Sequence, residues 1–270
     1  MNLAFAVAAA AAYAIGSVLQ AAAVRRPGSL GSLATSPVYL AGLTADGVAW
    51  ILSLLALRGL PVYVVQAVLA GSLGLTVLLA AAVLHIRPRR RDLLAVAVLI
   101  GALAVLAICG QEQPAPVLSQ ATETALTVAG GVVVVATGVA VLPAARTDAH
   151  GLVLAVLAGL AYSMTALAAR GVSIRTPLVA TLAEPLVWVV VCSGIAGTVA
   201  YAAALQRGSV ASVTALTWSV EVVVPAAVAI PLLGDEVRAG WAPAAVLAIV
   251  AVVGAAVVLA GAPGAREATA

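Results

Sequence analysis

SVASVTALTWSVEVVVPAAVAIPLL, residues Ser209 to Leu233, is a run of 25 residues with one charge, Glu221. A helix needs about 20 apolar residues to cross a ~30 Å hydrocarbon layer. A membrane-spanning strand needs only about 10, with alternating polarity, and this run does not alternate. It reads as a transmembrane helix. Working outward, eight more runs fit the same measure: about 3–24, 38–57, 61–85, 92–109, 125–143, 151–170, 177–205 and 241–261. Of the 270 residues, 64% are hydrophobic and 9% charged. The mean hydropathy is +1.19. A soluble domain averages about 45–50% apolar residues and has too little interior to hide this much apolar surface. The chain is expected to be an all-α polytopic membrane protein with about nine transmembrane helices.

The charges are sparse and placed at the ends of these runs. All thirteen basic residues are Arg. Nine of them (Arg25, Arg26, Arg87, Arg89, Arg90, Arg91, Arg146, Arg207 and Arg266) fall on one face if the loops alternate sides. Arg58, Arg170, Arg175 and Arg238 fall on the other, with Glu112, Glu123, Asp235 and Glu236. The positive-inside rule puts the first set in the cytoplasm, with the N-terminus outside and the C-terminus inside. The expected location is a bacterial plasma membrane. The Arg87–Arg91 cluster reads as a contact for anionic lipid, and His85 beside it as an interfacial residue. The basic balance therefore sets orientation and implies no nucleic acid. Cys109 and Cys192 lie inside apolar runs and read as small hydrophobes. The first run lacks a basic leader and is too long for a signal peptide.

The chain also repeats itself. Ala11-Ala12-Tyr13 aligns with Leu160-Ala161-Tyr162, 149 residues later, and Ala56-Leu57-Arg58-Gly59 with Ala204-Leu205-Gln206-Arg207, 148 residues later. Span lengths and loop positions follow the same offset. Spans one to four then correspond to spans six to nine, with the fifth as connector. Four helices and a connector turn the second unit upside down, giving the inverted repeat common in secondary transporters. The expected organisation is a first four-helix repeat over 1–110, an outer loop and connector helix over 111–150, a second repeat over 151–262, and a cytoplasmic tail over 263–270.

The Ala204-Leu205-Gln206-Arg207-Gly208-Ser209 turn, the helix after it and Leu232-Leu233-Gly234-Asp235-Glu236 resemble the drug/metabolite transporter superfamily. With Leu57-Arg58-Gly59-Leu60-Pro61-Val62-Tyr63-Val64-Val65-Gln66, the nine-span pattern is similar to actinobacterial members of that group. These are distantly NIPA-like, after putative magnesium transporters. The first half departs from the pattern, with Arg87-Pro88 standing where the second half has Asp235-Glu236. The resemblance implies a carrier, and its superfamily spans substrates from amino acids to lipid-linked sugars.

Charges at bilayer depth are expensive and default to functional candidates. Three acids lie inside predicted spans: Asp46, Glu184 and Glu221. No Arg lies comparably deep. At about 1.5 Å per residue, Glu221 is about 18 Å from the start of its helix. Trp218 and Ser219 precede it and Pro225 follows a turn later, where carbonyls are freed. Such acids either stay protonated or line a wet cavity that takes a proton or cation. Glu184-Pro185 leaves two readings of the 177–205 span, one helix or a break at that point, since a residue before proline is pushed from helical geometry. Glu184 is either a candidate on the path or a loop residue near the outer surface. Gln66 and Thr214 are equivalent across the repeat, as are Tyr13 and Tyr162, and all four are candidates for the same cavity. Trp50, one turn after Asp46, is a weaker one. Gly71, Gly74, Gly194 and Gly197 let helices approach closely.

The sequence carries no HExxH, GxSxG, P-loop or acidic metal motif, so an enzyme is not expected. The expected activity is secondary transport of a small solute or cation by alternating access, coupled to protons or cations. A lipid or lipid-linked-sugar flippase and a non-transporting envelope subunit are the alternatives. The expected partners are the bilayer and a small-molecule or cation substrate, as monomer or homodimer. No cofactor is expected, and no metal-ligand set is assigned.

Overall fold

The computed structural model describes residues 1–24, 36–83, 85, 88–141, 148–173, 178–207 and 210–262. Its helices are α1 (Asn2–Val24), α2 (Pro37–Ala56), α3 (Val62–Ala70), α4 (Ser72–Val83), α5 (Arg90–Cys109) and α6 (Gln120–Val141). They continue with α7 (Asp148–Gly171), α8 (Pro185–Leu205), α9 (Val210–Leu233) and α10 (Ala242–Ala260). With α3 and α4 counted as one crossing, the described residues contain nine helices long and apolar enough to span a membrane. The protein is a multi-pass helical membrane protein. The arginines at 25, 26, 87, 146, 175 and 266, and the tail over 263–270, lie outside the described residues.

Local chemistry sets the helix starts. Pro37 and Pro185 begin α2 and α8, where a missing N–H costs nothing. Asp92 opens α5 by accepting the Arg89 amide at 2.9 Å. α6 begins at Gln120, earlier than the expected 125, because Ser119 Oγ accepts the Thr122 amide at 3.2 Å. Of the two readings of 177–205, the broken one holds. A short 3₁₀ helix covers Leu178–Ala183, Glu184 is extended at φ −80° and ψ 125°, and α8 follows. The 61–85 span is one crossing over Val62–Val83, with Gly71 in helical geometry (φ −60°, ψ −21°) between α3 and α4. Glycine is the weakest ordinary helix former, and a Cβ there would meet Leu103 Cδ1 and the Val68 carbonyl, each at 2.8 Å.

α3 is the centre of the bundle, with all nine of its residues buried. Around it, α1 packs on α2, α7 on α8 and α9, and α5 on α10. α6 is peripheral, burying only Leu126, Gly130 and Thr137, while Val128, Val132, Val135 and Val139 face outward. One continuous core of mostly Ala, Val and Leu joins residues from Ala6 to Ala262. Small residues make this possible: α1 and α2 cross at Gly16 and Gly42, where a Cβ on Gly42 would meet the Gly16 carbonyl at 3.0 Å.

Residue 1, the loops over 57–61, 110–119 and 234–241, and residues 172–173 and 178–184 gather on one end, called here the N-terminal face. Backbone bonds join them: Gln113 N to Gly59 O at 3.0 Å and Arg238 N to Cys109 O at 2.9 Å. An isolated bridge pairs Gly110 with Val237.

Candidate functional site

Two polar centres lie within this apolar bundle. The first surrounds Glu221, halfway along α9. Its side chain is half-buried. The Gln66 side chain, from α3, is within hydrogen-bonding reach of its carboxyl. Tyr13 of α1, Tyr162 of α7 and Tyr201 of α8 lie within electrostatic range. Tyr13 also lies in range of Asp46 and within hydrogen-bonding reach of Ser53, both on α2. Asp46 accepts a 2.6 Å bond from Gln20 Nε2 and lies over Gly16, where a Cβ would overlap its Oδ1. Tyr201 Oη and Thr214 Oγ1 are 2.8 Å apart. Tyr162 Oη donates to Thr198 Oγ1 at 3.3 Å.

Of the sequence candidates, Glu221, Asp46, Gln66, Thr214, Tyr13 and Tyr162 thus fall into one linked set. Three do not. Ser219 donates to its own helix, at the Ala215 carbonyl, 2.7 Å away. Trp218 packs against the hydrophobic core. Glu184 is buried at the N-cap of α8, where Oε1 accepts the Ser173 amide at 2.8 Å. That places it at the N-terminal face rather than at mid-membrane. Trp50 is 39% exposed on α2, facing outward. Tyr201 was missed; a single aromatic in the Ala-rich inner half of α8 was its signal.

The second centre was also missed. Arg170, in the last turn of α7, pairs with Asp235 after α9 at 3.2 Å, both side chains 1% exposed. Arg170 Nη1 further donates to the carbonyls of Leu57 at 2.8 Å and Gln113 at 3.2 Å. Asp235 Oδ2 accepts the Val62 amide, the first of α3, at 2.6 Å. The carboxylate thereby sits where an exposed helix N-terminus favours negative charge. Burial pushes the Asp235 carboxyl above the usual carboxylate range, opposed by the Val62 amide and by Arg170. Arg58 donates to the Val172 carbonyl alongside. Arg170 and Asp235, expected to be loop-level charges that set orientation, therefore form an internal lock. It ties the loops after α2, α5, α7 and α9 together.

The two centres differ chemically. The Glu221 set offers carboxyl, amide and phenol groups with no cation near the acid among the described residues. It can exchange a proton or hold a cation. Among the described residues no group of three or more His, Cys, Asp or Glu is close enough to hold a metal. Comparison with family models, curated proteins and solved structures returned no match.

Proposed function

We propose that the protein is a secondary transporter of a small solute or cation, coupled to protons or cations, working by alternating access. One observation carries this reading. Glu221 is approached by Tyr13 and Gln66 from the first half of the chain and by Tyr162 and Tyr201 from the second. A binding centre shared between two halves is what rocking of one half on the other would expose to alternate sides. Protonation of Glu221 biases which side is open. Asp46, one phenol away through Tyr13, is the second acid on the path.

The same reading takes the halves as inverted repeats of one another, with α6 as connector. Packing of α1 on α2 and of α7 on α8, with α5 against α10, is consistent with that. It places the chain in the plasma membrane with the N-terminal face outside, and within the drug/metabolite transporter superfamily by resemblance. The lock at Arg170 and Asp235 then closes the outer end, leaving the path open toward the Arg-rich side.

The test uses proteoliposomes with a proton-sensitive dye inside, challenged with Mg²⁺ and with pooled amino acids and amines. Wild type should move protons with one of these probes, and Glu221→Gln should lose the pH dependence. A Glu221→Gln protein that transports with the wild-type pH profile ends the coupling role.

A further inference from the structure

A cavity of about 520 Å³ lies away from Glu221, between the first half of α5 and the C-terminal part of α10. Its walls are apolar, and Leu94, Val98, Gly254, Val257 and Val258 line it, with Arg91 at one end. Leu94 is 67% exposed, and Val98, Val257 and Val258 are exposed as well, so the groove opens sideways into the bilayer. Its depth comes from missing side chains. Gly254 has open space around the position a Cβ would take, between bulky neighbours that form the rims.

The mouth is basic. Arg89, Arg90 and Arg91 are exposed at the start of α5. The acid of that turn, Asp92, is fully buried. It accepts the Arg89 amide and lies 3.5 Å from Arg91 Nε. It fixes the turn, with the Arg91 side chain 57% exposed beside it. A guanidinium fork suits the paired oxygens of a phosphate. A bilayer-depth apolar slot that ends under three exposed arginines matches one occupant: an anionic phospholipid, acyl chain in the slot and phosphodiester on the arginines.

We propose that the α5–α10 groove is a binding site for an anionic phospholipid, held by Arg91 at the headgroup and by the Gly254 notch along the chain. The site is separate from the Glu221 centre and does not depend on the transport reading. A second copy of this chain would compete for the same apolar face.

Native mass spectrometry of the full-length protein, released from micelles containing phosphatidylglycerol and phosphatidylcholine, tests this. Each arginine contact contributes about fivefold at a membrane surface. Wild type should therefore retain phosphatidylglycerol over phosphatidylcholine by about tenfold or more. Arg91→Gln combined with Arg90→Gln should bring that ratio close to one while lipid is still retained. A Cβ at position 254 meets open space and Gly254→Leu improves helix propensity, so this variant should fold, fill the notch and lose retained lipid of both kinds. Arg238→Gln, on the opposite face, should change neither. Phosphatidylglycerol should raise the thermal midpoint of wild type and leave that of Gly254→Leu unmoved. Three results would overturn the proposal: equal retention of the two lipids by wild type, undiminished retention by Gly254→Leu, or a dimer joined through α5 and α10 that persists without lipid.

Discussion

Asp235 and Glu221 are both acids held inside an apolar bundle, fourteen positions apart in sequence, and their surroundings differ in one respect. Asp235 has a buried guanidinium at 3.2 Å and a helix N-terminal amide at 2.6 Å. Glu221 has an amide and three phenols, all neutral. A fully paired acid is committed to structure, because any movement strands a charge in a medium that cannot solvate it. An acid among neutral hydrogen-bonding groups can gain or lose a proton, or a cation, without dismantling the fold. Burial alone does not separate the two roles; the partner does.

The lock should break hardest. Arg170→Ala leaves Asp235 buried and unpaired and frees the carbonyls of Leu57 and Gln113. Loss of one partner of a buried pair costs about 3–5 kcal/mol, read as a large fall in the thermal midpoint in detergent. The double variant Arg170→Met with Asp235→Leu removes both charges and should recover a large part of that loss. If the double variant is as unstable as the single, the carbonyl and Val62 bonds matter more than the charge pair, and the comparison with Glu221 loses its basis.

The next effect lies on the Glu221 side. Gly16→Ala places a methyl group against Asp46 Oδ1 and within 3.0 Å of the Gly42 carbonyl. Forcing apart a tight crossing costs about 1–3 kcal/mol. Unlike a surface alanine, it should also displace the Gln20–Asp46 bond of 2.6 Å. Gly47→Ala, with open space around its Cβ position on α2 beside Asp46, is the control and should not destabilise. Equal midpoints for the two variants would show that α1 and α2 are not held at this crossing.

Much of the architecture was legible because apolar length is a strong signal in membrane proteins. All nine spans emerge from continuous runs, and the Glu184-Pro185 break follows from the geometry that proline imposes on its predecessor. Gathering of Tyr13, Tyr162, Gln66 and Glu221 was partly legible, because internal similarity already paired positions in the two halves. The Arg170–Asp235 lock was hidden for a different reason. Both residues lie at span ends, where sequence pattern reads a charge as solvated, and only the folding of four loops over them buries them. Glu184 misled in the opposite direction: counted inside a long span, it belongs to the end of a helix that starts one residue later.

Smaller effects sharpen the neutral character of the Glu221 site. Tyr201→Phe removes the 2.8 Å contact with Thr214 and should cost about 0.5–1.5 kcal/mol, as should Thr214→Val. The two together should cost less than their sum, because they share one bond. A strictly additive pair would mean each hydroxyl has a second partner, and Tyr201 would then belong to the packing of α8 rather than to the site.

The smallest stability effect should come from Glu221 itself. Glu221→Gln keeps the shape and the hydrogen-bonding reach to Gln66 while removing the titratable proton. With no charged partner to strand, the change should stay within about 1 kcal/mol of wild type, against several for Arg170→Ala. Chemistry should respond instead. A hydrophobic carbodiimide, which attacks protonated carboxyl groups from the apolar phase, should label wild type at Glu221, and the label there should be lost in Glu221→Gln. Labelling should slow as pH rises, since only the protonated acid reacts. A Glu221→Gln variant that melts as early as Arg170→Ala would give Glu221 a hidden structural partner. The distinction between a paired acid and a free one would then fail at this centre.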